Sequence, residues 1–194
     1  MQTDEQPILE RCQAGDLDAF GELVARYQDR IYRTAYLLVG NRDDAQDVTQ
    51  ETFVKAFRNL RSFRRECAFS SWLHRILLNA AGNWLRDNRR HAQLSEAAPP
   101  VIGRSEEAEV SPEEAVLQHD RARRLQAALW DLPPHYREAM ILRFYDELSY
   151  AEMAEVLDVP VGTVRSRLAK ARELLYKRLR WEAFSDRSKE ANAQ

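Results

Sequence analysis

The chain has 194 residues and a formal net charge of −2. This length suits one ordinary domain or two small ones. Hydrophobic residues make up 44% of the chain and can build a core, which excludes wholesale disorder. Charged residues at 31%, with only 6 Gly and 7 Pro, favour a helical protein that faces water. Two cysteines cannot form a disulfide framework, so we expect a cytoplasmic protein. The sequence shows neither an apolar run of about 20 residues nor an apolar leader, so we expect no membrane insertion.

Three amphipathic helices are predicted in the first half of the chain. The first runs from about Asp16 to Gly40, because apolar residues recur every three or four positions between an N-cap residue and a glycine stop. The second begins near Asp43, and the third spans about 70–90. Three helices with short connections predict one bundle domain.

The helical pattern fails between about 94 and 116, where Pro, Gly and Glu predominate and large apolar residues are rare. We interpret this stretch as a linker, flexible or extended; a long functional loop inside one domain is the alternative. Periodicity returns near Leu117 and stops at Pro133 and Pro134. Three more helices are predicted after this stop, at about 136–144, 149–157 and 161–179.

The predicted fold class is therefore all-α, with two small helical domains joined by a flexible acidic linker. The sequence has no internal repeat and no strand-like alternation that would compete with this interpretation. The predicted boundaries are 1–93 for the first domain, 94–116 for the linker, 117–183 for the second domain and 184–194 for a polar tail.

Charge is strongly segregated along the chain. Residues 1–54 carry 5 basic and 11 acidic groups, a net −6, whereas residues 55–90 carry 9 basic and 2 acidic groups, a net +7. Residues 161–181 are again basic, with 7 basic groups and 1 acidic group. Basic blocks attract polyanions and acidic blocks attract basic protein surfaces, so two kinds of partner are predicted; solvated helix faces are the simpler alternative.

The segment 149–175 has the pattern of a helix-turn-helix. Ser149 and Glu152 form a capping box at the start of a two-turn helix, and the sequence from Asp158 to Gly162 must break that helix before the next one begins. The outward side of the second helix is basic and rich in hydrogen-bond donors, as a reader of the DNA major groove requires; an ordinary helical hairpin with a solvated basic face is the alternative. The candidate DNA-binding residues are Thr163, Arg165, Ser166, Arg167, Ala169, Lys170 and Arg172.

The third helix of the first domain combines aromatic, amide and guanidinium side chains near helical spacing. Aromatic rings stack on unpaired bases, amides hydrogen-bond to base edges and arginines hold phosphates, so this set predicts a site for opened DNA strands. Burial of Trp72 and Trp84 in the core is the alternative for the two indole rings. The candidate residues are Trp72, His74, Arg75, Asn79, Asn83, Arg86, Arg89 and Arg90.

No cofactor or metal site is predicted. Asp43, Asp44 and Asp47 match the DDxxD pattern of magnesium-binding prenyl-diphosphate enzymes, but acids in the first turn of a helix offset its macrodipole and explain the pattern more simply. The four histidines have no ligand spacing, and the sequence contains no phosphate-binding glycine motif and no nucleophile elbow. An enzyme is therefore not expected.

Taken together, residues 8–93 and 117–181 resemble the extracytoplasmic-function (ECF) group of the bacterial sigma-70 family. DAFGELVARYQDRIYRTAY resembles region 2.1, DAQDVTQETFVKAFRNLRSF resembles region 2.2, and FSSWLHRILLNAAGNWLRDNRR resembles regions 2.3 and 2.4. LPPHYREAMILRFYDELSYAEMAEVL followed by VPVGTVRSRLAKARELL resembles region 4. The motif D-x-x-Q-E-x-F at 47–53 and the later G-T-V-R-S-R, in the right order, make the resemblance specific.

The resemblance implies a promoter-specificity subunit of bacterial RNA polymerase that has no enzymatic activity of its own. It implies that region 4 reads the −35 element, whereas the third helix and the loop after it open and hold the −10 element, with Asn79 and Asn83 near the extruded base. The implied partners are core polymerase, promoter DNA and an anti-sigma factor, and the protein is expected to be a monomer. The residues implied to contact the largest core subunits are Asp44, Asp47, Gln50 and Glu51.

A stand-alone helix-turn-helix regulator with a helical sensory or dimerising first domain is the alternative function. It explains the helix-turn-helix equally well. It does not explain the D-x-x-Q-E-x-F motif, nor the side of the third helix that runs from Trp72 to Arg90, so we expect the sigma factor function.

Overall fold

The computed structural model describes residues 5–92, 124–125 and 127–191, and this part of the chain contains helices and turns but no strand. The predicted all-α fold is therefore confirmed for the described residues, whereas the predicted linker, 94–116, lies outside them. Within the described ranges, no helix combines the length and apolar content that a bilayer span requires. The helices with defined bounds are α1 (Gln6–Gln13), α2 (Leu17–Val39), α3 (Arg42–Asn59), α4 (Phe69–Ala92), α5 (Pro134–Phe144), α6 (Tyr150–Leu157) and α7 (Val161–Ala191), with a 3-10 turn at Leu60–Ser62. Residues 124–125 and 127–130 are also helical.

Local capping fixes both ends of α2, as the sequence predicts, and it also fixes the start of α3. The Asp16 side chain accepts a hydrogen bond from the backbone N–H of Ala19 at 3.0 Å. Gly40 ends the helix at φ +94°, in the left-handed region that favours glycine. Asn41 then caps α3 by accepting from the backbone N–H of Asp44 at 2.8 Å. The two long helices thus form a hairpin joined by a tight turn.

Helices α1 to α4 pack around one apolar core. Leu23 and Ile31 of α2, and Leu73 and Leu77 of α4, are completely buried there. Val48 of α3 joins the same cluster. Burying such a side chain contributes about 1.5–3 kcal/mol, so the apolar stripes determine which side of each helix turns inward.

The sequence does not predict α1, because eight residues are too few to show a clear helical period. Leu9 and Cys12 bury its inner side against the bundle. The Gln13 side chain donates hydrogen bonds to the carbonyls of Leu60 and Phe63, at 3.2 and 2.9 Å. Tertiary contacts of this kind, rather than local propensity, hold the helix in place.

The second half of the chain contains the predicted helix-turn-helix, formed by α6 and α7. The capping box is present: the Ser149 N–H donates to the Glu152 carboxylate at 2.8 Å, and the Glu152 N–H donates to the Ser149 hydroxyl at 3.2 Å. Asp158 ends α6 in the left-handed region, with φ +51°. Met153 and Val164 are buried in the core that the two helices share.

Helix α7 continues to Ala191, so the predicted end near Leu179 is wrong. Residues 180–191 contain no proline or glycine, and their Ala, Glu, Lys and Arg residues propagate a helix well. Residues 184–191 of the predicted polar tail are consequently helical, whereas 192–194 lie outside the described residues.

The two helical units, residues 5–92 and 127–191, contact each other directly. Helix α4 packs against α6, and α2 contacts α5. Leu78 of α4 packs against the core of the second unit, and Ile141 of α5 joins the core of the first. The faces of α2 and α4 that meet the second unit are therefore covered by it.

Candidate protein and nucleic-acid interfaces

One side of α3 carries an acidic stripe, the α3 stripe, formed by Asp44, Asp47, Gln50 and Glu51. The last three are exposed, and Asp44 is half-buried in the first turn, where the Asn41 side chain hydrogen-bonds to its carboxylate. Spacings of three and four residues place these side chains on one side of the helix. The structure therefore brings together the four residues that the sequence singles out for contact with a protein.

The α3 stripe continues into apolar surface. Val54 and Phe57, about one turn further along the helix, are 40% and 46% exposed, and the Phe57 ring lies 5.0 Å from the ring of Phe20 on α2. Glu51 pairs with Lys55 of the same helix at 2.6 Å. The helical period of the sequence does not single out Phe57, because it groups this residue with the buried side of α3. Exposed apolar side chains beside carboxylates are typical of a protein interface.

A second surface, the α4 stripe, runs along α4 and consists of Arg75, Asn79, Asn83 and Arg86. All four are exposed and recur at intervals of four, four and three residues, so they share one side of the helix. The Arg86 guanidinium donates to the side-chain oxygen of Asn83. The two amides can hydrogen-bond to base edges, and the two flanking arginines can bind phosphates on either side of those bases. The backbone of α4 continues through two further candidates whose side chains lie outside the described part, Arg89 and Arg90.

Trp72 and His74 do not join the α4 stripe. Trp72 is 9% exposed, and its ring packs against Phe63 and Phe69 at centroid distances of 4.9 and 5.6 Å. His74 is completely buried and faces Asp146 of the second unit. In this conformation both side chains serve the packing of the protein, so we leave them out of the proposed DNA-binding set.

A cavity of about 350 Å³ opens where α4 meets the second unit. Trp72 and Arg75 of α4 line it together with Arg64 of the preceding loop. Glu155 and Asp158, at the end of α6, line it from the second unit. The cavity thus sets carboxylates of the helix-turn-helix beside arginines of the first unit.

The third surface, the α7 stripe, occupies the first turns of α7. The Ser166 hydroxyl donates to the Thr163 carbonyl at 2.9 Å. Burial raises the pKa of the Glu138 carboxyl on α5, and the nearby Arg167 guanidinium partly offsets that rise. The Arg167 charge is therefore partly engaged within the protein. Thr163 and Arg167 are half-buried, whereas the exposed members are Arg165, Ser166, Ala169, Lys170 and Arg172.

Aromatic rings from other helices support two arginines of the α7 stripe. The Arg165 guanidinium lies 6.0 Å from the centroid of the Tyr150 ring, and Arg143 lies 5.3 Å from the same ring. Arg172 lies 5.6 Å from the ring of Phe144. Such contacts contribute about 0.5–1 kcal/mol at exposed sites and restrict where a guanidinium points. Sequence reasoning misses Tyr150 and Phe144, because the turn between the helices brings them to this surface.

Glu173 interrupts the basic surface of α7. Hydrogen bonds from Lys177 at 2.6 Å and Lys170 at 2.9 Å lower the pKa of its carboxyl to about 2. The carboxylate is therefore ionised at neutral pH and holds both ammonium groups along the helix. Because all three groups are exposed, phosphate can compete for the lysines.

Two family models match the chain. Sigma-70 region 2 matches residues 23–91, and sigma-70 region 4 matches residues 122–175. The first range contains the α3 and α4 stripes, and the second contains the α7 stripe.

The chain is also similar to characterised sigma factors over nearly its whole length. It is 35% identical over 177 residues to the ECF RNA polymerase sigma factor SigW of Bacillus subtilis. The match covers 89% of this chain and 95% of SigW. It is 39% identical over 181 residues to the ECF RNA polymerase sigma-E factor of Haemophilus influenzae, covering 90% of this chain and 94% of that protein.

Two solved structures resemble the fold over most of the chain. CnrH, solved in complex with the cytosolic domain of CnrY, matches with a TM-score of 0.67 and 28% identity, over 90% of this chain and 96% of CnrH. The sigma factor RpoE from Bartonella quintana, solved with the anti-sigma factor NepR, matches with a TM-score of 0.66 and 26% identity. That match covers 83% of this chain and 96% of RpoE.

Proposed function

Because this chain belongs to the ECF group of RNA polymerase sigma factors in the sigma-70 family, we propose that each of its three stripes has a separate role in promoter recognition. The α3 stripe binds the largest subunits of the polymerase core. The α4 stripe holds the opened −10 element, and the α7 stripe reads the −35 element in duplex DNA. The chain acts in the cytoplasm as a monomer, and because polymerase supplies the chemistry, it needs no enzymatic step or cofactor of its own.

The observation that carries this proposal is the presence of three separate surfaces of different chemistry on one small chain. The acidic α3 stripe repels DNA phosphates and suits a basic protein surface. The α4 stripe has the amides and cations that unpaired bases and their phosphates require. The α7 stripe follows a helix-turn-helix and suits the major groove. A stand-alone regulator would require only the α7 stripe.

The α4 stripe is proposed to stabilise the opened strand by holding a base outside the duplex. Extracting one base costs a few kcal/mol of stacking and pairing, so a sigma factor must offer compensating contacts. Asn79 and Asn83 present amide donors and acceptors one helical turn apart, and Arg75 and Arg86 supply positive charge at both ends. This placement allows base contacts in the middle and phosphate contacts at the ends.

We also propose an anti-sigma factor as a partner. RpoE from Bartonella quintana is seen with the anti-sigma factor NepR, and CnrH is seen with the cytosolic domain of CnrY. In this chain, the exposed Val54 and Phe57 beside the α3 stripe offer apolar area that such a partner can cover. Covering it would block the surface assigned to core polymerase.

Binding to core polymerase distinguishes this function from the stand-alone regulator. When the purified chain is mixed with core polymerase at micromolar concentration, we expect both to elute from gel filtration as one stoichiometric complex. A regulator would elute apart from core polymerase. Elution of the chain at its own position would therefore contradict the proposed function.

Arg165→Ala is expected to relax the sequence preference at the −35 element. Arg165 is exposed in the second turn of α7, where side chains of a recognition helix reach base edges. An arginine that pairs bidentately with guanine contributes about 1–3 kcal/mol of discrimination. The preference is measured by selecting bound sequences from a promoter library randomised at −35.

Lys170→Ala is the matched control for Arg165→Ala. If Lys170 contacts phosphate, its loss weakens binding to all sequences and flattens the dependence of affinity on salt, while the −35 preference stays. An unaltered −35 preference in Arg165→Ala would remove that residue from base recognition.

Glu173→Gln is expected to tighten binding to duplex DNA of any sequence. The substitution removes the carboxylate that pairs with Lys170 and Lys177, so both ammonium groups become available to phosphates. We expect an increase in affinity of about fivefold at low salt, together with a steeper salt dependence. Glu147→Gln, in the loop before α6, is the control. Equal affinities of wild type and Glu173→Gln at low salt would show that the lysines do not face DNA.

A further inference from the structure

Phe144, the last residue of α5, is exposed although its apolar neighbours in the helix are buried. It is 57% exposed, whereas Ile141 and Leu142 are 3% and 0% exposed. A single exposed phenylalanine needs no explanation by itself. This ring, however, lies against a charged group of the α7 stripe.

The Arg172 guanidinium lies over the Phe144 ring. Its central carbon is 5.6 Å from the ring centroid, within the roughly 6 Å range of a cation–π contact. Leu142 of α5 shares a buried core with Leu168 of α7, so two packed helices carry the ring and the arginine. The contact therefore does not depend on the conformation of a loop.

Other cations of α7 are held by a carboxylate. Lys170 and Lys177 pair with Glu173 at 2.9 and 2.6 Å. Among the described residues, no carboxylate pairs with Arg172. A carboxylate restricts a cation and also offsets its charge, whereas an aromatic ring restricts a guanidinium and leaves its positive charge in place. Arg172 therefore keeps its full charge for a partner of the protein.

Arg172 lies beyond the first turns of α7, which are the turns that face base edges in a recognition helix. It shares one side of the helix with Arg165 and Ala169, at intervals of three and four residues. It lies eleven residues after Val161, about 16 Å further along the helix at about 1.5 Å per residue. Because the major groove is only about 12 Å wide, an arginine at this distance meets phosphates at the edge of the groove.

Contact through one face leaves the edge of the Arg172 guanidinium available. Its N–H donors lie in the plane of the group, so a ring against the face does not block them. A phosphate accepts two such N–H groups as a bidentate pair. Because the ring restricts the arginine beforehand, less side-chain entropy is lost when the phosphate binds.

We propose that Phe144 is a positioning residue for DNA binding, whose ring holds the Arg172 guanidinium where its N–H edge meets a phosphate of the −35 element. The inference rests on the proposed function, since that function assigns the α7 stripe to the −35 element. It adds to that function a residue outside the stripe. Phe144 acts through Arg172 and has no part in the choice of base, because phosphate contacts carry no direct sequence information.

Phe144→Ala is expected to weaken binding of the holoenzyme, which is the chain with core polymerase, to promoter DNA by about threefold at low salt. The probe is a labelled duplex that the wild-type holoenzyme selects from a random library, and the affinity is measured by fluorescence anisotropy. Phe144→Leu should show the same loss, because leucine keeps apolar bulk but has no π face. Phe144→Tyr keeps the ring and should bind as the wild type does.

Combination with Arg172→Ala shows whether the ring acts through the arginine. In a chain that already carries Arg172→Ala, the change Phe144→Ala should cause no further loss of affinity. An equal loss in both backgrounds would overturn the positioning role, because the ring would then act on its own. Wild-type affinity of Phe144→Ala or of Phe144→Leu would also overturn it.

The NMR spectrum of the free full-length chain tests the contact without DNA. Because the ring current of Phe144 shifts protons above its face, the side-chain resonances of Arg172 should lie upfield in the wild type. They should return to ordinary positions in Phe144→Leu, whose circular dichroism should match that of the wild type since residue 144 is exposed. Identical Arg172 resonances in the two chains would overturn the contact.

The selection step distinguishes a failure of this inference from a failure of the proposed function. If the wild-type holoenzyme selects no common −35 sequence from the library, the result counts against the proposed function and, with it, this inference. If it selects one and Phe144→Ala binds that duplex as tightly as the wild type, only the role of Phe144 is overturned.

Discussion

Replacing Glu51 by lysine is expected to weaken binding to core polymerase by about 2–5 kcal/mol, the range for breaking a charge pair that is desolvated at an interface. Glu51 is exposed on the α3 stripe and pairs with Lys55 of the same helix. The reversal should therefore leave the fold intact. Asp47→Lys, on the same exposed side, should act in the same way. The affinity is measured by titrating a labelled chain with core polymerase.

Asp29→Lys is the control for both reversals, since it changes an exposed carboxylate on α2 outside the α3 stripe. It should bind core polymerase as the wild type does. The difference between Glu51→Lys and wild type should shrink at high salt, because salt screens exposed charges during association. Equal affinities of Glu51→Lys and wild type for core polymerase at low salt would show that the α3 stripe does not contact it.

The double variant Asn79→Ala, Asn83→Ala is expected to reduce opening of the −10 element by about tenfold to a hundredfold. Extrusion of a base costs a few kcal/mol, and the variant loses the amide contacts that would offset this cost. Duplex binding through the α7 stripe should stay nearly intact. Permanganate reactivity of thymines at −10, measured on a duplex promoter with the holoenzyme, reports the opening.

A template with a mismatch at −10 separates opening from later steps. Since its strands are already apart, the double variant should show a smaller defect on it than on the duplex. Gln28→Ala removes an exposed amide from α2 and is the matched control. Normal opening of the duplex promoter by the double variant would refute the role of the α4 stripe.

The features that the sequence predicts well are those decided by neighbouring residues. The N-cap at Asp16, the glycine stop at Gly40 and the capping box of Ser149 and Glu152 each depend on a few adjacent positions, and the structure confirms all of them. The exposed members of the α3, α4 and α7 stripes follow from helical spacing for the same reason.

The features that the sequence does not predict depend on distant segments. Trp72 and Asn79 both lie on α4, yet Trp72 is covered by Phe63 and Phe69 from the start of the helix and the preceding loop. His74 is buried because Asp146 of the second unit faces it. No local pattern shows such contacts, so the sequence does not tell which residues of α4 are exposed.

Transcription of genomic DNA by core polymerase, with and without the chain, shows whether the chain directs the polymerase to promoters. If the chain is the promoter-specificity subunit, its addition should create a discrete set of start sites that share upstream −35 and −10 elements. Core polymerase alone should lack these start sites, and Glu51→Lys should supply them only weakly. Identical start sites with and without the wild-type chain would show that the chain does not direct promoter choice.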